Sequence, residues 1–297
     1  MDTEAYTALI EQCFPHLTIR SARPITEGWD SFVLEINNKL IFRFPLRADV
    51  EEQLATEMHL LPPLARTLST PIPHFDYIWH GNSSQPLPFV GYRKIDGVPL
   101  DNIRITPAHY STLATSLATF LSELHSFPIA QAIQLGVPGH TQAQWRQRYQ
   151  HLYEEVQKLV LPRLNEPARA RVRRLWETFL DDESNFEFQP ALIHQDLGCE
   201  HILCDPTGGM LAGVIDWGDA TVGDPALDFV GLLHCRDRSF TERVRASYRG
   251  NLGSSFRQRT AFYLRCLPFH ELLYASSTQS ETNLAHGLAS LHVMLEQ

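Results

Sequence analysis

The sequence predicts an α+β protein of two lobes: a small lobe built on an antiparallel sheet with one main helix, and a larger, mostly helical lobe. Two observations predict this division. Apolar residues recur with a period of two before residue 100, as in half-buried strands, and with a period of 3.6 beyond it, as in helices. With 297 residues, 43% of them hydrophobic, the chain is long enough to bury a core. We assign residues 1–90 to the small lobe, 91–100 to a hinge and 101–297 to the larger lobe.

The small lobe is predicted to begin with a short helix, which three strands follow. The segments LTIRSARPI, SFVLEINN and KLIFRF have the strand pattern, with Asn37 and Asn38 at the tight turn of a hairpin. Residues 50–68 predict an amphipathic helix that Pro62 and Pro63 interrupt. HFDYIWHG and LPFVGYRKI return to strand, and DGVPL ends the hinge.

The larger lobe is predicted as a series of helices with one interruption. Helical spacing is found near residues 106–126, 141–161, 165–182, 225–235, 239–250, 256–276 and 280–295. Between residues 190 and 217 the short apolar runs ALI, HILCD and LAGVIDW are separated by turn residues, and they predict small strands that carry loops. A cleft between two such lobes is where a small ligand is expected to bind.

Charge and cysteine content exclude several classes of protein. The formal net charge is −9, and residues 181–297 hold 16 acidic against 8 basic residues, which disfavours nucleic acid as a partner and weakly favours a cationic one. A solvated acidic surface explains the same charge equally well. The five cysteines include no Cys-x-x-Cys pair, so we expect neither a disulfide framework nor a zinc ribbon, and a reducing compartment fits.

The chain shows no sign of a signal peptide or a membrane span. Its N-terminal segment MDTEAYTALIEQCF is acidic and amphipathic, unlike a secretory signal. Residues 106–122 lack charge, but their large apolar residues follow one helical stripe that faces a core. We therefore expect a cytoplasmic monomer without a membrane partner.

The segment HQDLGCEHILCD, residues 194–205, concentrates groups that carry chemistry. A zinc site of His194, Cys199, His201 and Cys204 would not match the spacing of known zinc sites. A nucleophilic triad would need a strained turn such as G-x-S-x-G, which is absent here. A loop whose polar residues satisfy one another, and a phosphoryl-transfer loop, remain as interpretations.

The downstream sequence favours phosphoryl transfer. Asp216 ends the apolar strand LAGVIDW, directly before a glycine-containing turn. In phosphoryl transfer one carboxylate orients the attacking hydroxyl, while a second carboxylate and one more ligand hold magnesium. The pattern H-x-D-x-x-x-x-H, followed by a strand that ends in Asp, supplies these groups in order. Asp196 is the candidate base, and His201 and Asp216 are the candidate metal ligands.

At these residues the sequence resembles the aminoglycoside phosphotransferase family, whose members are relatives of the protein kinases. The resemblance rests on ALIHQDLGCEHILCD and GVIDWGDATVGDPALDF, and it is closest to enzymes that modify a 2″-hydroxyl. EGWDSFVLEINNKLIFRFP, STPIPHF, FVGYRKIDGVPL and LATFLSELHS are similar to family segments in their usual order, so nearly the whole chain is covered. The resemblance implies a bilobal protein-kinase-like fold, Mg²⁺ at His201 and Asp216, and ATP or GTP as phosphoryl donor.

Three further polar residues near this loop are predicted to be structural. His194 is expected to hydrogen-bond the backbone around Asp216 without touching substrate. Asp224, which precedes Pro225, has the sequence signature of a helix N-cap. Asp228 is expected to brace the catalytic loop from the next helix.

On the nucleotide side the family pairs a strand lysine with a helix glutamate. The strand LIFRF offers Arg43 in place of that lysine, and Glu57 follows fourteen residues later. Arginine keeps the charge, and the chain has only three lysines against 22 arginines. The segment TEGWDSF offers Gly28 alone where a protein kinase has a glycine-rich loop.

The hinge segment GYRKI is expected to recognise the base through backbone groups of Arg93, Lys94 and Ile95. Tyr92 lies at the entrance to the hinge, where the family resemblance is compatible with either ATP or GTP.

The acceptor is expected to be an aminoglycoside antibiotic. A macrolide acceptor, and a non-catalytic nucleotide-binding module of the same fold, are the alternatives. The segment after DPALDF has fewer acidic residues than a polycation would favour, and His270 and Glu271 are the polar candidates for acceptor contact in a later helix.

Overall fold

The computed structural model describes residues 2–25, 30–83, 86–278 and 280–296. Gly28 therefore lies outside the described residues. Within these described residues the small lobe contains two helices and a five-stranded antiparallel sheet, in the strand order β1-β2-β3-β5-β4. In chain order these elements are α1 (Thr3–Cys13), β1 (Ala22–Ile25), β2 (Ser31–Ile36), β3 (Leu40–Pro45), α2 (Ala48–Leu64), β4 (Phe75–Trp79) and β5 (Phe89–Arg93).

The two faces of this sheet have different tasks. Phe32, Phe42 and Phe89 belong to an apolar cluster that also includes Ile10 of α1. Because side chains alternate along a strand, the neighbouring residue Arg43 lies on the opposite face and reaches the cleft. The hairpin turn between β2 and β3 is confirmed, since Asn37 and Asn38 both have φ of 55°, a conformation that asparagine tolerates.

Helix α2 corrects a prediction. The sequence predicts that Pro62 and Pro63 interrupt it, but the helix continues through both to Leu64. A proline inside a helix removes a hydrogen bond, and packing offsets that cost here because Leu60 and Leu61 are buried in the core of the larger lobe.

The larger lobe contains eight helices and two small sheets within the described residues. The helices are α3 (Pro107–His125), α4 (Ile129–Gln134), α5 (Gln142–Glu155), α6 (Glu166–Asp181), α7 (Val230–Cys235), α8 (Arg238–Ser247), α9 (Phe256–Ser277) and α10 (Glu281–Glu296). The predicted helices are confirmed, with two refinements: a π-helical turn, Val156–Val160, follows α5, and the short α4 was not expected. The core of this lobe is centred on large aromatic side chains such as Trp145, Trp176 and Phe269.

The predicted strand segment is also confirmed. Strand β6 (Val98–Pro99), β8 (Ile202–Cys204) and β9 (Leu211–Val214) form one antiparallel sheet, and β7 (Ala191–Ile193) pairs with β10 (Thr221–Gly223) in another. These short strands hold the loops of residues 194–201 and 215–220 side by side.

One cysteine pair differs from the expectation. A disulfide joins Cys199, in the loop before β8, to Cys235 at the end of α7, with their Cα atoms 6.3 Å apart. The sequence predicts no disulfide framework, and this single pair is a difference from that prediction. Its members lie 36 residues apart, so motif spacing gave no signal. Among the described residues, no helix combines the length and apolarity needed to cross a membrane.

Candidate active site

The two short sheets bring the three predicted catalytic and metal-binding residues together. Asp196 and His201 lie on the loop between β7 and β8, and Asp216 follows β9. The His201 ring stands between the two carboxylates: Nδ1 is 3.6 Å from Oδ2 of Asp196, and Nε2 is 3.6 Å from Oδ2 of Asp216. The side chains of Asp196 and Asp216 remain 58% and 50% exposed, so both open to the cleft.

The hydrogen bonding of His201 decides which of its nitrogens can bind a cation. Nδ1 lies 2.8 Å from the backbone oxygen of Asp196, and since a carbonyl only accepts, Nδ1 carries the hydrogen. In the neutral ring, Nε2 then has a lone pair on the side of the Asp216 carboxylate. Two electron-rich atoms 3.6 Å apart fit a shared cation.

Desolvation and nearby charges shift the pKa values of all three residues. Desolvation lowers the pKa of His201, but the hydrogen bond to Asp196 and the nearby carboxylates outweigh it and raise that pKa above its ordinary value. Desolvation alone would raise the pKa of Asp216, yet the charges of Arg43 and His201 lower it, so Asp216 stays ionised. Desolvation in the cleft raises the pKa of Asp196 and makes it a stronger base than a free aspartate.

Asp228 fixes the backbone of the catalytic loop, as predicted. Its two carboxylate oxygens each accept a backbone N–H, from His194 and from Gln195, both at 2.9 Å. Oδ2 also contacts Nε2 of His125 at 3.1 Å, and that ring contacts the Tyr248 hydroxyl at 2.8 Å. Asp228 is completely buried, and these contacts hold the residues directly before Asp196.

His194 has the structural role that the sequence predicts. Its Nε2 donates to the backbone oxygen of Ile215, 3.0 Å away, and so joins the catalytic loop to the residue before Asp216. The side chain is fully buried, and burial lowers its pKa.

Asp224 is not the helix N-cap that the sequence predicts, because a turn and a short 3-10 helix, Leu227–Phe229, separate it from the start of α7 at Val230. Its Oδ1 accepts from the Ala226 backbone at 2.9 Å. Its Oδ2 accepts from Nε of Arg259 at 2.6 Å and from the Tyr263 hydroxyl at 2.7 Å. Asp224 and Arg259 are both 0% exposed, so this ion pair ties α9 to the segment after β10.

On the small-lobe side of the cleft, Arg43 and Glu57 are paired as predicted. Nη1 of Arg43 is 2.8 Å from Oε2 of Glu57, and Nη2 is 3.4 Å from Oδ1 of Asp216. Burial opposes the charge of Arg43, but Glu57 and Asp216 outweigh it and raise the pKa of the guanidinium, which stays charged. Burial raises the pKa of Glu57, and the ion pair with Arg43 opposes that shift.

The predicted hinge residues lie at the end of β5 and just after it. Tyr92 is buried, and burial raises the pKa of its phenol. The backbone N–H of Lys94 donates to the Lys39 oxygen at 2.8 Å, so this group is already engaged within the small lobe, which differs from the prediction for Lys94.

The two residues predicted to contact the acceptor, His270 and Glu271, have different surroundings. Glu271 contacts His286 of α10 at 3.6 Å. His270 is exposed on α9, and partial desolvation, with the charge of Arg148, lowers its pKa. Arg148 is a charge that the sequence did not single out.

Several residues of the cleft had no signal in the sequence. Asp219 accepts from Nε2 of Gln53 at 3.2 Å, which links the turn after β9 to α2. Desolvation, with the charges of Asp196 and Asp216, raises the pKa of Asp219 to about 6. Arg148 is separated from its partner Gln195 by 47 residues, and only the structure brings them together.

Cavity size alone would misplace the site. A cavity of about 480 Å³ lies between α6, α9 and α10, and none of the residues above lines it. The described residues contain no group of three or more His, Cys, Asp or Glu side chains arranged as a metal site. Two protein ligands suit an ion that arrives with phosphate oxygens, as Mg²⁺ does at nucleotide sites.

Comparison with known proteins agrees with this geometry. A sequence model of the phosphotransferase enzyme family matches residues 21–264. Viomycin phosphotransferase from Streptomyces vinaceus is 25% identical over 291 residues, which cover 97% of this chain and 93% of that protein. The GDP complex of wild-type aminoglycoside 2′-phosphotransferase-IIIa superimposes with a TM-score of 0.92 at 29% identity, covering 100% of this chain and 99% of that one. Macrolide 2′-phosphotransferase type I shares the fold, with a TM-score of 0.80 at 24% identity and 98% coverage of both chains.

Proposed function

Because the chain belongs to the phosphotransferase enzyme family and is a kinase that acts on hydroxyl groups, we propose that it transfers the γ-phosphoryl group of ATP or GTP to an aminoglycoside antibiotic. The observation that carries the proposal is the convergence of Asp196, His201 and Asp216 on one edge of the cleft, opposite the pair of Arg43 and Glu57. The first group suits a reacting hydroxyl and a metal, and the second suits phosphates.

Each residue has a defined part in the proposed reaction. Asp196 accepts the proton of the acceptor hydroxyl as its oxygen bonds to the γ-phosphorus and the bond to the bridging β,γ-oxygen breaks. Arg43 binds the phosphate tail, and Glu57 holds the guanidinium in place. Asp228 keeps the catalytic loop rigid, so that Asp196 is positioned before the acceptor arrives.

His201 and Asp216 would hold Mg²⁺, and the facing Nε2 and Oδ2 atoms support that assignment. The ion would supply positive charge that offsets the charge of the phosphates. Asp216 also contacts Arg43, so one carboxylate links the residues that would hold the metal to the arginine proposed to bind phosphate.

An aminoglycoside acceptor is supported by two observations. The structural neighbour with the TM-score of 0.92 is an aminoglycoside phosphotransferase at 29% identity. Residues 181–297 carry twice as many acidic as basic residues, which suits a polycation. The macrolide enzyme, at 24% identity, supports only the shared fold.

The deciding experiment is a nucleotide-consumption screen of the purified protein against aminoglycoside and macrolide panels, with ATP and GTP in parallel. We expect turnover with kanamycin- or gentamicin-like compounds. The KM of a polycationic acceptor should rise steeply as the ionic strength increases from about 0.01 M to 0.15 M, because the screening length falls from about 30 Å to 8 Å. Turnover of macrolides alone, with little dependence on salt, would contradict the choice of acceptor.

A further inference from the structure

Arg148 is a cation beside the loop that carries Asp196. It extends from α5, where its guanidinium lies 5.0 Å from the centre of the Trp145 ring. Its Nη1 donates to the side-chain oxygen of Gln195 at 2.8 Å, and Gln195 directly precedes Asp196. The positive charge is therefore tied to the residue before the proposed base.

The partner of Arg148 is held firmly. The backbone N–H of Gln195 donates to buried Asp228, and Gln195 has φ of 71°, in the left-handed region that non-glycine residues seldom adopt. With its backbone fixed in this way, the Gln195 side chain presents its oxygen to Arg148 from a rigid loop.

The charge of Arg148 is not neutralised by an acidic partner. Within the described ranges no carboxylate lies within 4.0 Å of its guanidinium, and its contacts are an amide oxygen and an aromatic ring. Desolvation lowers the pKa of His270 on α9 and the charge of Arg148 adds to that shift, while the same charge opposes the rise in the pKa of Asp219 after β9. An acceptor placed beside Asp196 would meet this charge.

We infer that Arg148 is a specificity-determining residue of the acceptor site, which donates hydrogen bonds to an acceptor oxygen and disfavours an ammonium group at the same place. The inference rests on the proposed function and narrows it: among aminoglycosides, those with a hydroxyl group near Arg148 are preferred over those with an amine there. Specificity commonly depends on such a repulsive contact as well as on attractive ones. A guanidinium held by Gln195 and Trp145 supplies it.

The test uses kanamycin A and kanamycin B, which differ by one hydroxyl group replaced by an amine. In the wild-type protein we expect a higher kcat/KM for kanamycin A. Arg148→Gln removes the charge and keeps a donor for Gln195, so the ratio of the two kcat/KM values should fall by about tenfold, which corresponds to about 1.4 kcal/mol. Arg148→Lys keeps the charge and should retain most of the preference.

The matched control is Arg243→Gln. Arg243 also stacks on an aromatic ring, at 5.4 Å from Tyr110, but it lies on α8, and the preference should be unchanged. If Arg148→Gln instead lowers kcat/KM for both compounds by the same factor, Arg148 only braces the loop and the inference is wrong.

A failure of the proposed function can be told apart from a failure of this inference. If neither compound supports nucleotide consumption, the proposed acceptor is wrong, and calorimetric binding of the two compounds then tests Arg148. Tighter binding of kanamycin A to the wild type, lost in Arg148→Gln, would uphold the inference. Absence of binding, or equal binding of both compounds, would overturn it.

Discussion

Two pairs of aspartates, within one short stretch of the chain, differ in almost every physical respect. Asp196 and Asp216 have side chains that are 58% and 50% exposed, and each has room for another ligand. Asp224 and Asp228 are 0% exposed, and the oxygens of both already accept hydrogen bonds. All four residues are aspartates, so their surroundings determine whether the side chain is available for a reaction or stabilises the fold.

The contrast has a physical cause. A buried carboxylate is stable only when donors satisfy it, and the three donors around Asp224 leave no place for a substrate. A carboxylate that reacts needs an open side, and Asp196 has one. We expect removal of an open aspartate to reduce turnover, and removal of a buried one to reduce stability.

The largest expected effect is on turnover. Asp196→Ala should lower kcat by about 10²–10⁴-fold, as for the loss of a positioned general base, while the melting temperature changes little. Glu200→Ala is the matched control, because it removes an exposed carboxylate from the same loop and should leave kcat within about threefold of wild type. If the two variants had equal activity, Asp196 would lose its proposed role.

Asp224→Asn should break the buried pair. Arg259 would keep its charge without a counter-charge, and we expect the free energy of unfolding, measured in urea, to fall by about 3–5 kcal/mol. The control is Glu242→Gln, which removes the partner of the largely exposed Arg257 and should hardly move the unfolding midpoint. Equal midpoints for both variants would show that burial does not separate them.

Substitution of Arg43 tests the proposed nucleotide site. Its side chain is largely buried and is also proposed to bind phosphate. Arg43→Ala should raise the KM for nucleotide by about tenfold or more, with a smaller effect on the KM for acceptor, because the lost contact is to phosphate. Arg43→Lys should retain most activity if charge is what matters. A similar rise in both KM values would point to a folding defect, and circular dichroism would check for one.

The smallest expected effect is on the pH dependence of stability and concerns His194. Its backbone contacts buried Asp228, and its ring contacts the residue before Asp216. Burial lowers the pKa of His194 in the folded state. Below about pH 6.5 the unfolded chain therefore binds a proton at His194, whereas the folded protein leaves this side chain neutral. Stability should therefore fall with decreasing pH, by at most about 1.4 kcal/mol per pH unit from this group. Urea unfolding at pH 7.5 and 5.5 should show a shallower dependence in His194→Gln, and unchanged slopes would contradict this prediction.

Sequence reasoning worked best where the chemistry is local. Asp196 and His201 lie five residues apart on one loop, so their type and spacing were sufficient to predict that they would lie together. The sheet and the helices were predictable because their apolar periods are long and regular. The support of the catalytic loop by Asp228 followed from its place in a recognisable segment.

The remainder depends on contacts between distant parts of the chain. Arg259 is 35 residues from Asp224, and no pattern links them. The same holds for Arg148 with Gln195. Helix α2 continues through Pro62 because its leucines pack against another lobe, and a local rule for proline cannot include that packing.

That packing also bears on how such an enzyme could be regulated. In protein kinases the helix that carries the conserved glutamate changes position, and activity is switched with it. Here Glu57 shares its helix with Leu60, Leu61 and Leu64, which lie in the core of the larger lobe, so displacing the helix would cost about 1.5–3 kcal/mol for each leucine exposed. The pair of Arg43 and Glu57 is thus assembled from the moment the chain folds. We therefore expect that this helix need not move before the pair can contact a nucleotide.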